Sequence, residues 1–161
     1  MDGKNKILLL GIGNYLMGDE GLGVYIANRL AEMPLPDGVE VLDGGSSGFH
    51  LYGHLERFPV VIMADATLDG RPTGTIRLLE PRFSADFPRA MSTHDIGLRD
   101  VVEALSIQNA LPKIYLFVVS VNELQSMTIG LSPAVQKAAD EVADAMYTLM
   151  QKLNSERSKS E

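Results

Sequence analysis

Four polar residues, Glu20, Asp43, Asp65 and His94, have the types and the placement to do chemistry. Carboxylates grouped with an imidazole suit a divalent transition metal with open coordination positions, a proton transfer, or plain capping of turns and helices. Their location singles them out. Glu20 follows the apolar run Lys6–Leu10 and the loop Gly11-Ile-Gly13-Asn14; Asp43 closes the run Val39-Glu-Val-Leu; Asp65 closes Pro59-Val-Val-Ile-Met-Ala64; His94 stands in Ser92-Thr93-His94-Asp95, ahead of a helical pattern. In an open α/β sheet the carboxyl ends of strands and the starts of helices bound one crevice, so the four are expected on a common rim. Each also has a plainer reading. Asp43 before Gly44-Gly45 serves a turn, Asp65 caps a following segment, His94 belongs to a capping region, and Asp19 with Glu20 complements a helix N-terminus.

Other chemistries fit less well. Gly11-Ile-Gly13 after a strand opens like a dinucleotide fingerprint, but Leu16 stands where the third glycine belongs, and Gly18 comes too late. A pyrophosphate there would also face Asp19 and Glu20. His50 and His54 share a helical face at i, i+4, yet Leu51 follows His50 where a zincin has glutamate, so a surface pair is expected. Ser46 and Ser47 lack the G-x-S-x-G elbow of a serine nucleophile. Tyr15 and Met17 in the acidic loop read as core residues or as a partner surface. With no cysteine in the chain, any metal must be held by oxygen and imidazole donors.

The elements that must position these residues follow from periodicity. Leu22, Val24, Ile26, Ala27, Leu30 and Met33 recur at helical spacing until Pro34-Leu-Pro36-Asp37-Gly38 ends the pattern, and Val39–Asp43 then completes a right-handed βαβ unit. A second helix spans Gly48 to Phe58, and a third strand ends at Asp65. The turn-rich Thr67–Gly74 is too short for a helical crossover, so Thr75–Leu79 is expected to form an antiparallel hairpin and to lie at an edge. Pro81–Met91 is the longest irregular segment, and it precedes a helix carrying Ile96, Leu98, Val101, Val102 and Leu105. Lys113–Val119 is a buried strand, and a loop from Ser120 to Leu131 brings Asn122 and Glu123 past its end. Ser132-Pro133 starts a long helix to about Leu153, with Asn154–Glu161 expected to fray. The order predicts an α/β three-layer sandwich, a twisted, mixed but mostly parallel five-stranded sheet flanked by helices. One domain is expected over 1–153, with a short polar tail at 154–161.

The chain has 161 residues, 45% of them hydrophobic, enough for one real core. Its net charge of −7 argues against nucleic acid and anionic membranes as partners. Lys4 and Lys6 before an apolar run imitate a signal peptide, but the run is too short and ends in an acidic loop. No stretch approaches the roughly eighteen apolar residues of a membrane span. A cytoplasmic protein is expected, as a monomer.

The motifs, taken together, resemble those of a known family. Gly11-Ile-Gly13-Asn14 with Gly18-Asp19-Glu20-Gly21-Leu22-Gly23, then Leu42-Asp43-Gly44-Gly45, Ala64-Asp65-Ala66, Ser92-Thr93-His94-Asp95-Ile96-Gly97-Leu98 and Ile129-Gly130-Leu131-Ser132-Pro133 occur in the order seen in the hydrogenase maturation endopeptidases. These enzymes trim the C-terminus of the large subunit of nickel-iron hydrogenases after nickel insertion. The resemblance runs from about Lys6 to Leu153 and implies a twisted sheet flanked by helices. It implies that Glu20, Asp65 and His94 form a metal-binding triad, and that Asp43 beside them is functional. The metal is expected to be nickel supplied by the substrate, with other divalent metals able to substitute, and Asp43 or Asp65 is the candidate to assist a water. The implied partner is the large-subunit precursor, cut once near its C-terminus. Two rivals share the pattern less fully: a germination-type protease with another peptide substrate, and a metal- or nucleotide-binding module without catalysis.

Overall fold

The computed structural model describes residues 7–13, 18–45, 48–88, 96–122 and 129–159. Its strands are β1 (Ile7–Ile12), β2 (Val39–Gly45), β3 (Val60–Thr67), β4 (Ile76–Leu79) and β5 (Lys113–Ser120). Its α-helices are α1 (Leu22–Ala31), α2 (Gly48–Arg57), α3 (Ile96–Ile107) and α4 (Pro133–Lys159). The strands form one sheet in the order β2-β1-β3-β5-β4. All pairs are parallel except β4 with β5.

Strand alternation sorts the apolar residues into two cores. Ile7 and Leu9 of β1, with Val60, Ile62 and Ala64 of β3, pack against Leu22, Ile26 and Leu30 of α1 and Val135, Val142 and Met146 of α4. Leu8, Leu10, Val61, Met63, Leu116 and Val118 face the other way, onto Leu51 and Leu55 of α2 and Val102 and Leu105 of α3. This is the expected three-layer sandwich. Because β1 and β3 are covered on both faces, all their residues are buried, which is why they read as continuous apolar runs. Further ties fix α4 to the body. Arg29 of α1 pairs with Asp140 at 2.9 Å, and the Tyr147 hydroxyl donates to the Pro34 carbonyl.

Three expectations are corrected. The strand after the Thr67–Gly74 turns does not pair with β3 as a hairpin; β5 lies between them, and β4 pairs antiparallel with β5. The connection passes over the end of β5, held by bonds from Gly74 N to Ser120 O at 2.8 Å and from Ser120 N to Thr75 O at 2.9 Å. The more apolar strand takes the inside, while short β4, with Arg77 and the half-exposed Leu78, tolerates the edge. Second, β3 continues past Asp65 to Thr67, in register with β5 through Thr67↔Ser120. Third, α4 runs to Lys159 where fraying was expected from Asn154. A helix already nucleated propagates cheaply, and Arg157 and Lys159 in its last turn oppose the dipole's negative end. Of the segment Pro81–Met91, the described part up to Pro88 is less irregular than its prolines suggest. The Asp86 carboxylate accepts from the Arg82 and Phe83 amides to close a 3₁₀ turn, and Phe87 is buried in the α2/α3 core.

The feature that positions the site is a backbone contact between β1 and the start of α1. A Cβ on Gly11 would lie 1.9 Å from the Gly23 carbonyl oxygen, one on Gly13 2.1 Å from that of Glu20, and one on Gly23 2.0 Å from that of Ile12. Gly23 thus provides the close helix–strand approach for which the fingerprint reading found no glycine. Replacing Gly23 by Ala should decide the sign of this effect. Helix propensity alone would add about 1 kcal/mol of stability. The clash with fixed backbone should instead remove about 3 kcal/mol, read as a lower urea midpoint at unchanged slope.

Candidate active site

Between β1 and α1 the chain makes a 3₁₀ turn, Gly18–Gly21, entered through Gly18 at φ 56°. Both acids of the turn are buried, Asp19 at 5% and Glu20 at 1% exposure. Asp19 has a structural task. Its Oδ1 accepts from the Ser132 amide at 2.7 Å and its Oδ2 from the Ser132 hydroxyl at 2.9 Å, which fastens the turn to the N-terminus of α4. A carboxylate beside a helix start also complements its dipole. The adjacent Glu20 is held by the same turn, which packs on β3.

Asp65 is fully buried in β3, on the strand next to β1, where Gly11 pairs with Ala64. Its Oδ1 accepts the Ala66 amide at 2.7 Å. Alternation puts Asp65 on the same side as Val61 and Met63, toward the α2/α3 layer. Burying two carboxylates is expensive unless their surroundings repay it. Asp43 differs from both. It is exposed, it sits on β2 opposite Gly11, and its Oδ1 accepts the Gly45 amide at 3.0 Å. That bond is the turn-stabilising role foreseen for it. Alternation directs it with Val39 and Val41 to the α1/α4 side.

Glu20 and Asp65 thus lie on neighbouring elements at this end of the sheet, with Asp43 across β1 on its opposite face. Among the described residues no three His, Asp or Glu side chains come together as a metal-holding group, so Asp43 does not complete a donor set with Glu20 and Asp65. His94, the third member of the proposed triad, lies outside the described residues, as do Tyr15, Met17, Ser46, Ser47 and Glu123. His54 falls in the last turn of α2, and the side chain of His50 lies outside the described residues.

A group absent from the sequence reading braces the same rim. Asp69, just past β3, accepts from the Arg71 amide and guanidinium, from Arg77 Nη2 of β4 at 3.0 Å, and from the Ser120 hydroxyl of β5 at 2.9 Å. One carboxylate thus ties together the ends of three strands. Burial alone would raise its pKa, but these bonds and the Arg71 charge outweigh burial and bring it from 3.8 down to about 2. The sequence signal was present, since an Asp-Gly turn followed by Arg71 and Arg77 invites such a pairing.

The profile of a family described as hydrogenase maturation protease matches residues 24–149, a segment that includes Asp43, Asp65 and His94 and begins shortly after Glu20. The chain is 38% identical over 134 residues to the hydrogenase 2 maturation protease of Escherichia coli K12, covering 81% of this chain and 82% of that protein. It is 34% identical over 153 residues to the hydrogenase expression/formation protein HoxM of Azotobacter vinelandii, covering 86% and 73% respectively. Among solved structures, the E. coli hydrogenase maturating endopeptidase HybD aligns with a TM-score of 0.80 at 35% identity, over 91% of this chain and 93% of that one. The [NiFe] hydrogenase maturation protease HycI of Thermococcus kodakarensis KOD1 aligns with a TM-score of 0.75 at 25% identity, over 92% and 94%.

The Asp69 brace should show in the pH dependence of stability. Because its folded pKa lies below the unfolded value, its contribution is full above about pH 4 and is lost as pH falls through about 2. The shift corresponds to roughly 2 kcal/mol. In urea titrations, Asp69→Asn should be less stable than wild type by about that amount near neutrality, with the gap closing across this acid window. A constant gap at every pH would mean that the Asp69 charge contributes nothing.

Proposed function

The chain belongs to the hydrogenase maturation protease family and is a hydrolase of peptide bonds; from that premise we propose that it removes a C-terminal peptide from the nickel-loaded precursor of a nickel-iron hydrogenase large subunit. The observation that carries the reading to a site is the pair Glu20 and Asp65, two carboxylates at 1% and 0% exposure on adjacent elements at the carboxyl end of the sheet. A fold that keeps two such groups out of water at its crevice forgoes stability that apolar residues would have supplied.

The donor chemistry fits the proposed partner. With His94, Glu20 and Asp65 offer two oxygens and one imidazole nitrogen, an incomplete set that leaves room for ligands from elsewhere. Nickel in the precursor is part of the substrate in this reading. Docking the precursor's metal onto these three residues would place the scissile peptide at the rim, where Asp43 or Asp65 would take a proton from the attacking water. Asp43 would approach from the β2 side, since β1 separates it from Asp65. Recognition through the metal would also restrict a protease that works among other cellular proteins, because a precursor without nickel lacks the bridging group.

We place the reaction in the cytoplasm and the enzyme as a monomer. No helix among the described residues is long and apolar enough to cross a membrane.

The test is cleavage of nickel-loaded against nickel-free precursor, followed as a mobility shift on gels. Wild type should cut only the loaded form, and free nickel added to the protease should not rescue the empty precursor. His94→Ala should lower processing at least about tenfold, equivalent to about 1.4 kcal/mol, with little change in melting temperature. Asp43→Asn should likewise impair cutting while costing under about 1 kcal/mol of stability, because the residue is exposed. Equal cutting of both precursors would discard recognition through the metal.

A further inference from the structure

The turn that buries Glu20 on one side lines a groove with its glycines. Gly18, Val24 and Tyr25 form one wall, and Gly130, Leu131 and Gln136 form the other, around a cavity of about 170 Å³. Resting on the protease reading above, we propose that this groove is a specificity subsite that accepts one apolar side chain of the precursor peptide beside the scissile bond.

Three observations carry the assignment. The first is size. Small-molecule sites usually enclose about 300–1,000 Å³, whereas an apolar cavity of about 150 Å³ holds a single benzene-sized group. The groove therefore suits one aromatic or branched aliphatic side chain. The second is preorganisation. Its walls come from chain segments far apart in sequence, clamped at both ends. At one end Ser132 donates twice to Asp19. At the other the Tyr25 hydroxyl donates to Asp140 at 2.6 Å, and Arg29 shares the same carboxylate oxygen at 2.9 Å. The hydrogen bond to Asp140, reinforced by burial, holds the Tyr25 phenol above its ordinary pKa, so the donor persists well into the alkaline range. A cleft held open in this way binds without first ordering its walls. The third is continuity. Gly18 and Gly21 line the groove, and Glu20 stands between them in the same turn. A peptide whose cut bond lies at the rim would have a neighbouring side chain within reach of the groove.

The experiment uses full-length protein and peptides spanning the cut of its large-subunit precursor, alongside the nickel-loaded precursor itself. In the nickel-loaded precursor, on which KM and kcat are read, residues within about three positions of the cut are replaced in turn by Asp. One apolar position should respond with a KM raised at least about tenfold at nearly unchanged kcat. Gln136 is exposed on α4, so Gln136→Trp and Gln136→Lys should fold normally. Gln136→Trp should fill the groove and raise KM for the natural sequence, whereas Gln136→Lys should relieve the penalty of the Asp-substituted precursor at that one position. In ¹⁵N spectra, the natural peptide should shift the amides of Gly18 and Gly130, and its Asp variant should not. The subsite is overturned if no single position is sensitive, or if the sensitive one responds identically in wild type and both Gln136 variants. Should wild type cut no precursor, the protease reading fails, and the spectra still decide the groove: peptide-induced shifts at these glycines support it, and their absence refutes it.

Discussion

The structure depends on a contact in which no side chain takes part. Where β1 gives way to α1, the backbones of Gly11, Gly13 and Gly23 meet those of Gly23, Glu20 and Ile12 so closely that a methyl group on any of the three glycines would overlap a carbonyl oxygen. Interiors are dense and yield little, so such a contact fixes the height and the angle at which the helix starts. The 3₁₀ turn is confined between the strand end and the helix, and Glu20 is confined with it. A longer side chain at any of these glycines would lift the turn from the sheet. The site would then move as one piece, because the Glu20 carbonyl is itself one of the contact atoms.

Around that contact the fold distributes acidic groups with different duties. Asp19 and Asp69 are provided with donors, from Ser132 in one case and from two arginines and Ser120 in the other, and they join elements together. Glu20 and Asp65 occupy the most buried ground on the same rim. Carboxylates that accept bonds from distant elements contribute to cohesion, and burying a carboxylate is costly unless its surroundings repay it. The two bonded acids therefore support the elements that carry the two buried ones. Asp19 anchors the turn that carries Glu20, and Asp69 gathers the strand ends just beyond Asp65.

Much of this was legible in the residues. Apolar runs revealed β1, β3 and β5, because strands covered on both faces are apolar over most of their length, while flanking turn residues marked the edge strands β2 and β4 and helical repeats marked the four α-helices described. The rim followed from a general property of α/β sheets. Strand neighbours were less accessible. Adjacency in sequence favoured a hairpin for Thr75–Leu79, yet the pairing was decided by which strand could fill a two-sided core, a comparison between Arg77-bearing β4 and the mostly buried, mostly apolar β5. The helical reach of Asn154–Lys159 was missed because local polarity says little about a helix nucleated far upstream. The links from Asp19 to Ser132 and from Asp69 to Ser120 join positions 113 and 51 residues apart, and no local pattern encodes such pairs. What local pattern did encode was each half, an acidic turn on one side and a Ser-Pro helix start on the other.

The separation between Asp19 and Ser132 also has a temporal meaning. The acidic turn is translated early, but the donors that fasten it belong to the start of the last helix. A chain still on the ribosome, with its first strands formed, holds Glu20 on a turn whose outer anchor has not yet been made. Closing so distant a contact is among the later events of folding, since the loop entropy must be met before the bond can form. Fastening of the acidic turn is thereby tied to synthesis of α4, and until that helix has emerged the turn lacks its outer anchor.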